Sequence, residues 1–155
     1  MKNMHRFLIL LCMLVVTGCS GSRFSGFGSS QVQCVPYARE RSGIEIYGDA
    51  YSWWDRAAPR YARGHKPRPG AVLVLARTKQ MPHGHVAVVQ RIVNSREIEV
   101  AHTNWGSDAK SRRKVYEAMT VVDVSPRNDW SSVRFWYYDT GSFGFPYAAR
   151  GFIYN

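Results

Sequence analysis

The stretch QCVPYARERSG (33–43) sets Cys34 at the mouth of a short helical segment. A cysteine there sits near the positive end of the helix dipole, beside several unpaired backbone N–H groups. Both stabilise a thiolate, the nucleophilic form of the side chain. The same N–H groups can hold the oxyanion that forms when a thiolate attacks an amide. Such a thiol needs a base, and beyond the first residues the chain offers four histidines, His65, His83, His85 and His102. His65 falls in a proline-rich loop, GHKPRPG, and is expected in solvent. His83 and His85 flank Gly84, but only His85 leads directly into an apolar strand, sharing a face with Ala87 and Val89. His102 ends a second stripe, after Ile98 and Val100, on what should be the core side of its strand. That is unusual for a merely solvated histidine, and a hydrogen-bonded core histidine is the alternative reading.

Whether the two imidazoles meet depends on register. A hairpin with its loop at 92–95 pairs Val89 with Ile98, Ala87 with Val100 and His85 with His102. Opposed side chains on one face have Cβ atoms about 5 Å apart, so one ring can orient the other. A two-residue loop at Ser95–Arg96 instead places His102 opposite Val89, four residues and about 13 Å from His85. The first register assembles a Cys–His–His relay; the second does not.

The elements that must position these groups read as helices followed by strands. The first helix spans 34–41, with Pro36 tolerated in its opening turn. A second is expected from Asp49 to Gly64, carrying Trp53, Trp54, Ala57, Ala58 and Tyr61 on one side as core and shortened or kinked by Pro59. Five β-branched or aromatic runs follow: 71–76, 85–91, 97–103, 115–124 and 133–138. Helices followed by antiparallel strands predict an α+β domain over 31–155. The tail TGSFGFPYAARGFIYN is too irregular to place from its pattern.

Ahead of this domain, Lys2, His5 and Arg6 precede the apolar run FLILLCMLVV (7–16), too short to span a bilayer but suited to a secretory signal. The run ends in VTGCS, which resembles the lipobox of bacterial lipoproteins and makes Cys19 the lipidated first residue after a signal peptide at 1–18. An ordinary signal peptide with Cys19 incidental is the alternative. Cys12 then leaves with the signal, Cys19 carries lipid, and Cys34 alone stays free, either reactive or a buried small hydrophobe. Residues 19–30, rich in Gly and Ser, read as a flexible tether of about 20 Å reach. The net charge of +10 falls to +8 without Lys2 and Arg6, which favours acidic partners or a solvated basic face. Secretion and the lack of any nucleic-acid-binding motif argue against DNA or RNA.

The segments QCVPYAR, GDAYSWWDRA, PRPGAVLVL, GHVAVVQRI and EVAHTNWG, in this order, resemble the CHAP family, the cysteine, histidine-dependent amidohydrolases/peptidases. The likeness covers about 31–138. It implies a papain-like fold and cleavage of amide bonds in peptidoglycan, with Cys34 as nucleophile and His85 as base. Many members carry Glu-x-Asn-Trp on the next strand, where this chain has His102-Thr103-Asn104-Trp105. The orienting group is thus expected to be the His102 imidazole, as in related papain-like cell-wall peptidases, with Asn104 as the alternative. Neutral His102 would accept a hydrogen bond from the far N–H of His85. The same resemblance puts Gln33, Tyr37 and Trp105 on the oxyanion or substrate side. A second departure is Gly70-Ala71, where relatives often have Gly-Asp.

The residues call for no cofactor and no metal. A zinc site of Cys34, His85 and His102 matches no zinc spacing and lacks an evident fourth ligand. No serine stands in a nucleophile elbow. The expected function is a cysteine-dependent peptidoglycan amidase or endopeptidase, with an inactive lipid-anchored binding or scaffold module of the same fold as the other reading. Ser20 after Cys19 resembles an outer-membrane sorting signal, which would anchor the protein facing the periplasm. No residue pattern names a regulatory protein partner. If Cys19 carries the anchor, Cys19→Ser should release the protein from membranes or block its processing; unchanged membrane fractionation would remove the lipoprotein reading.

Overall fold

The computed structural model describes residues 33–155. The expected signal peptide (1–18), the tether (19–30) and Cys19 lie outside the described residues. Helix α1 (Cys34–Ser42) ends at Gly43, which adopts the left-handed conformation that lets the chain turn (φ 71°). A single 3-10 turn (Ala50–Ser52) runs into α2 (Trp53–Ala57). The expected helix over Asp49–Gly64 is therefore much shorter than its pattern suggested. Ala58 is extended (φ −74°, ψ 137°), and Pro59 after it has no N–H with which to continue the helix. The chain then enters a short strand, β1 (Ala62–Gly64), instead of a third helical turn.

Seven more strands follow: β2 (Val72–Leu75), β3 (His85–Asn94), β4 (Glu97–Thr103), β5 (Val115–Asp123), β6 (Ser132–Tyr137), β7 (Ser142–Phe143) and β8 (Tyr147–Tyr154), with a four-residue helix α3 (Ala109–Arg112) between β4 and β5. All pairings are antiparallel, in the order β1-β8-β2-β3-β4-β5-β6-β7, and β6 also pairs with β8. That extra pairing closes six strands, β8 and β2 to β6, into a barrel. The class is α+β, with the sheet as its larger part and α1 packed on its outside. The irregular tail supplies the closing strand. Gly151 (φ 128°) lies where the β2–β8 register shifts, which hid β8 from a reading based on alternation.

Strand β2 and the first half of β3, His85–Val89, are buried on both faces. Leu73, Leu75, Ala87 and Val89 fill the barrel, while Val72, Val74, Val86 and Val88 meet α1 and α2 through Ala38, Ala57 and Trp53. This double burial explains why both strands read as nearly continuous apolar runs. It also aims His85 into the barrel, since it alternates with Ala87 and Val89.

The β3–β4 hairpin corrects the expected register. Its turn is the tight one at Ser95–Arg96, with Asn94 opposite Glu97. A strict ladder from that turn would separate the histidines. Two register shifts, between Ile92/Asn94 and between Val89/Arg91, each insert one extra residue on β3 and bring Val89 opposite Val100. His85 and His102 are then diagonal neighbours, not directly opposed, and diagonal pairs remain within reach of ring side chains.

Gly84 sets the corner from which β3 starts. Its φ is 69°, and a Cβ there would lie 2.7 Å from the Tyr51 backbone nitrogen and 2.8 Å from Tyr51 Cβ. The Tyr51 N–H donates to the His83 carbonyl at 3.0 Å, pinning this corner to the 3-10 turn. Gly70 has a similar φ of 82°, but nothing lies within 4 Å of the point where a Cβ would stand. Gly70→Ala should therefore lose only the left-handed backbone term, about 1–2 kcal/mol. Gly84→Ala should lose clearly more in urea denaturation, and equal losses would show that the corner is not close-packed.

Candidate active site

Cys34 opens α1 and is buried, at 8% exposure. Gln33 before it is extended, so the chain turns sharply into the helix with Cys34 in its first turn. Backbone N–H groups of Val86, Val35 and Cys34 itself are directed at the sulfur. Val86 directly follows His85, so the thiol abuts the start of β3. The expected lowering of the thiol pKa is reversed. Burial pushes the thiol above its ordinary value, outweighing those three N–H groups.

His85 and His102 are both buried, at 2% and 0% exposure. His85 Nε2 lies 2.8 Å from His102 Nδ1, with the rings edge-on at a centroid separation of 5.1 Å. The remaining nitrogen of His102, Nε2, lies 3.2 Å from Met119 Sδ. Trp105, Tyr116 and Phe135 wall in His102, their ring centroids 5.4–5.5 Å away. Trp105 also packs against His85 at 4.7 Å, and its indole N–H is buried without an acceptor among the described residues. These surroundings disfavour charge. Burial lowers the His85 pKa to about 3, and burial followed by the neighbouring His85 lowers that of His102 well below the ordinary imidazole value. Both imidazoles therefore rest neutral.

Asn104 follows the strand in a left-handed conformation (φ 55°), and its Nδ2 donates to Gln33 Oε1 at 2.7 Å. This bond ties the segment after β4 to the residue preceding the thiol. Because the Gln33 carbonyl is engaged, its NH2 is the end that can donate to a ligand. His83 stands outside the buried pair, with Nδ1 3.2 Å from Asp49 Oδ1 and a largely exposed side chain. Tyr37 lies apart. Its hydroxyl donates to Glu117 at 3.3 Å, in a separate hollow shared with Arg41 and Gln90.

Two hollows meet at Gly84 and Asn104. One, of about 250 Å³, is lined by Gln33, Cys34, Gly48, Asp49 and His83. The other, of about 600 Å³, has His85 and Trp105 at its base and Tyr137, Phe145 and Tyr147 along its walls. Among the described residues Arg112 is its one lysine or arginine, anchored by Nε donating to the Gly106 carbonyl at 3.0 Å. Sequence reasoning missed Arg112 and Met119. Arg112 sits in a helix too short to show periodicity, and Met119 reads as an ordinary core residue of β5. Among the described residues no group of three or more His, Cys, Asp or Glu side chains is gathered to hold a metal ion.

The neutral pair fixes a pH dependence of stability. In the unfolded chain each imidazole takes a proton near pH 6.5, whereas in the fold His85 does so only at about 3 and His102 also far below its ordinary value. The unfolded state therefore binds more protons below pH 6.5. Stability is full above that pH and falls as pH drops toward 3, each histidine adding a slope of up to about 1.4 kcal/mol per pH unit. Urea unfolding of His102→Gln should give a shallower decline between pH 6.5 and 4 than the wild type. Parallel curves would contradict the burial of a neutral pair.

The profile of the CHAP domain matches residues 24–104, just over half of the chain and the stretch that holds Cys34, His85, His102 and Asn104. Among characterised proteins, the chain is 33% identical over 78 residues to the staphylococcal secretory antigen ssaA2 of Staphylococcus aureus, covering 48% of this chain and 28% of that protein. It is 35% identical over 81 residues to the staphylococcal secretory antigen SsaA of Staphylococcus epidermidis, covering 50% of this chain and 30% of that one. The likeness thus spans less than a third of the length of either relative. The profile match across the strands and the helix that carry this cysteine and these histidines assigns the chain to the CHAP-domain family.

Proposed function

We propose that the protein is a papain-like thiol hydrolase that cleaves amide bonds in the stem peptide of peptidoglycan, as an amidase or endopeptidase. The observation that carries this reading is the 2.8 Å contact between His85 and His102, buried in the barrel end that the Cys34 helix abuts. The N-terminal lipid anchor expected at Cys19 would hold the domain at the outer membrane, facing its polymeric substrate.

In this reading Cys34 attacks the amide carbonyl while its proton passes to His85 Nδ1. The thiol stands above its ordinary pKa and His85 far below, so the ion pair does not pre-exist and proton transfer accompanies attack. The new imidazolium donates from Nε2 to His102 Nδ1, which accepts as a neutral base. The oxyanion takes hydrogen bonds from the first-turn N–H of Cys34 and from the Gln33 amide held by Asn104. His85 then gives its proton to the leaving amine, the C–N bond breaks, and an acyl-thioester forms. Water, deprotonated by His85, hydrolyses the thioester and restores the thiol. The 600 Å³ hollow would take the peptide, its aromatic walls meeting aliphatic stems and Arg112 meeting a carboxylate.

One observation favours a second reading. A thiol whose pKa is raised by burial is a poor nucleophile until a substrate rearranges the site, as in an inactive peptidoglycan-binding module of the same fold. Mass spectrometry of muropeptides released from purified sacculi separates the two. The wild type should release cleaved stem peptides and Cys34→Ala none. His102→Ala should lose most of the activity, roughly 10²–10⁴-fold, and His102→Glu should keep a substantial part, since a carboxylate accepts the same bond. Asn104→Ala should be milder. Binding to sacculi without release by the wild type would establish the second reading.

A further inference from the structure

Both ring nitrogens of His102 are in use, and the partner at Nε2 is a thioether. A thioether sulfur has no proton to give, so at 3.2 Å it can only accept. Met119 is 1% exposed, and the rings of Trp105, Tyr116 and Phe135 also pack against His102. A register shift in the β4–β5 pairing, between the pairs Val100↔Met119 and His102↔Tyr116, accompanies this contact. An N–H buried there has the sulfur as its acceptor, whereas a bare Nε2 would set two lone pairs against each other.

We propose that Met119 is a positioning residue that fixes the tautomer of His102 and, through it, the tautomer of His85. The proton count follows directly. With its single proton on Nε2, neutral His102 presents a bare Nδ1 to His85. His85 must then carry its own proton on Nε2 to fill the 2.8 Å contact, and its Nδ1 is left bare. In the opposite arrangement His102 donates from Nδ1, His85 Nε2 accepts, and the His85 proton is forced onto Nδ1. That nitrogen could then take nothing from a thiol. The sulfur therefore decides, two rings away, which face of His85 is basic. Its catalytic consequence rests on the hydrolase reading above; the tautomer itself does not.

The test uses the folded protein with ¹⁵N-labelled histidine and long-range ¹H–¹⁵N correlation, which separates protonated from bare ring nitrogens. The wild type should show Nε2 protonated and Nδ1 bare in both His102 and His85. Protonation of His102 at Nδ1 would overturn the proposal without any variant being needed. Met119→Leu, close in volume, removes the acceptor. It should yield exchanging tautomers at both rings and a kcat lower by roughly five- to tenfold, the size of one modest hydrogen bond, with KM little changed. In a His102→Glu background, where an ionised carboxylate has no tautomer to set, Met119→Leu should cause no further loss. Wild-type nitrogen shifts in Met119→Leu, or the same loss in both backgrounds, would assign Met119 to packing alone. A wild type that releases no muropeptide would defeat the hydrolase reading, while the nitrogen shifts would still decide this one.

Discussion

The site depends on one constraint: two imidazoles share the apolar end of a closed barrel, and each must satisfy the other. A polar ring buried without a partner costs several times what a hydrogen bond contributes. His85 and His102 meet this cost by pairing at 2.8 Å. Trp105, Phe135 and Tyr116 then exclude water from the pair, which keeps both rings neutral and confines their mutual orientation. The arrangement is self-consistent only when both rings are uncharged or when a single proton arrives from a neighbour. A thiol at the first turn of α1 is a group of the right kind to deliver that proton.

Most of the fold was legible because its strands obey simple periodicities. Val72–Leu75 and His85–Val89 read as continuous apolar runs since the barrel covers one face and the helices the other. The helix at Cys34 was legible from its composition and its glycine stop. What escaped were features that break period. Pro59 cut α2 to five residues, a consequence of local sterics that the aromatic stripe around Trp53 concealed. The tail looked irregular because Gly151 interrupts its alternation where β8 shifts register against β2. Arg112 lay in a single helical turn, too brief to show a face.

The histidine pair shows how a conclusion from sequence can survive the failure of its premise. The expected hairpin loop at 92–95 is replaced by a tight turn at Ser95–Arg96, the alternative that should have kept the rings apart. Extra residues at Gln90 and Val93 absorb the difference, because a bulge advances one strand past the other by one position. Bulges leave no mark in the apolar pattern, so register was the least readable quantity in the chain. The stripe Ile98, Val100, His102 was the reliable signal. A polar ring ending a buried face needs a polar partner, and His85 was the nearest group with a nitrogen to offer.

Strand β8 has a consequence for how the molecule comes into being. It follows every one of its partners along the chain, pairing with residues as distant as Ala62 and Val72, and it holds the seam between β2 and β6. Loops of that length close slowly compared with local hairpins. The β3–β4 hairpin and α1 are local structures, whereas the barrel closes only through pairings of long sequence separation. The barrel that encloses the pair is complete only with β8 in place. The enclosure of the site thus depends on a strand remote in sequence from the segments that carry the chemistry.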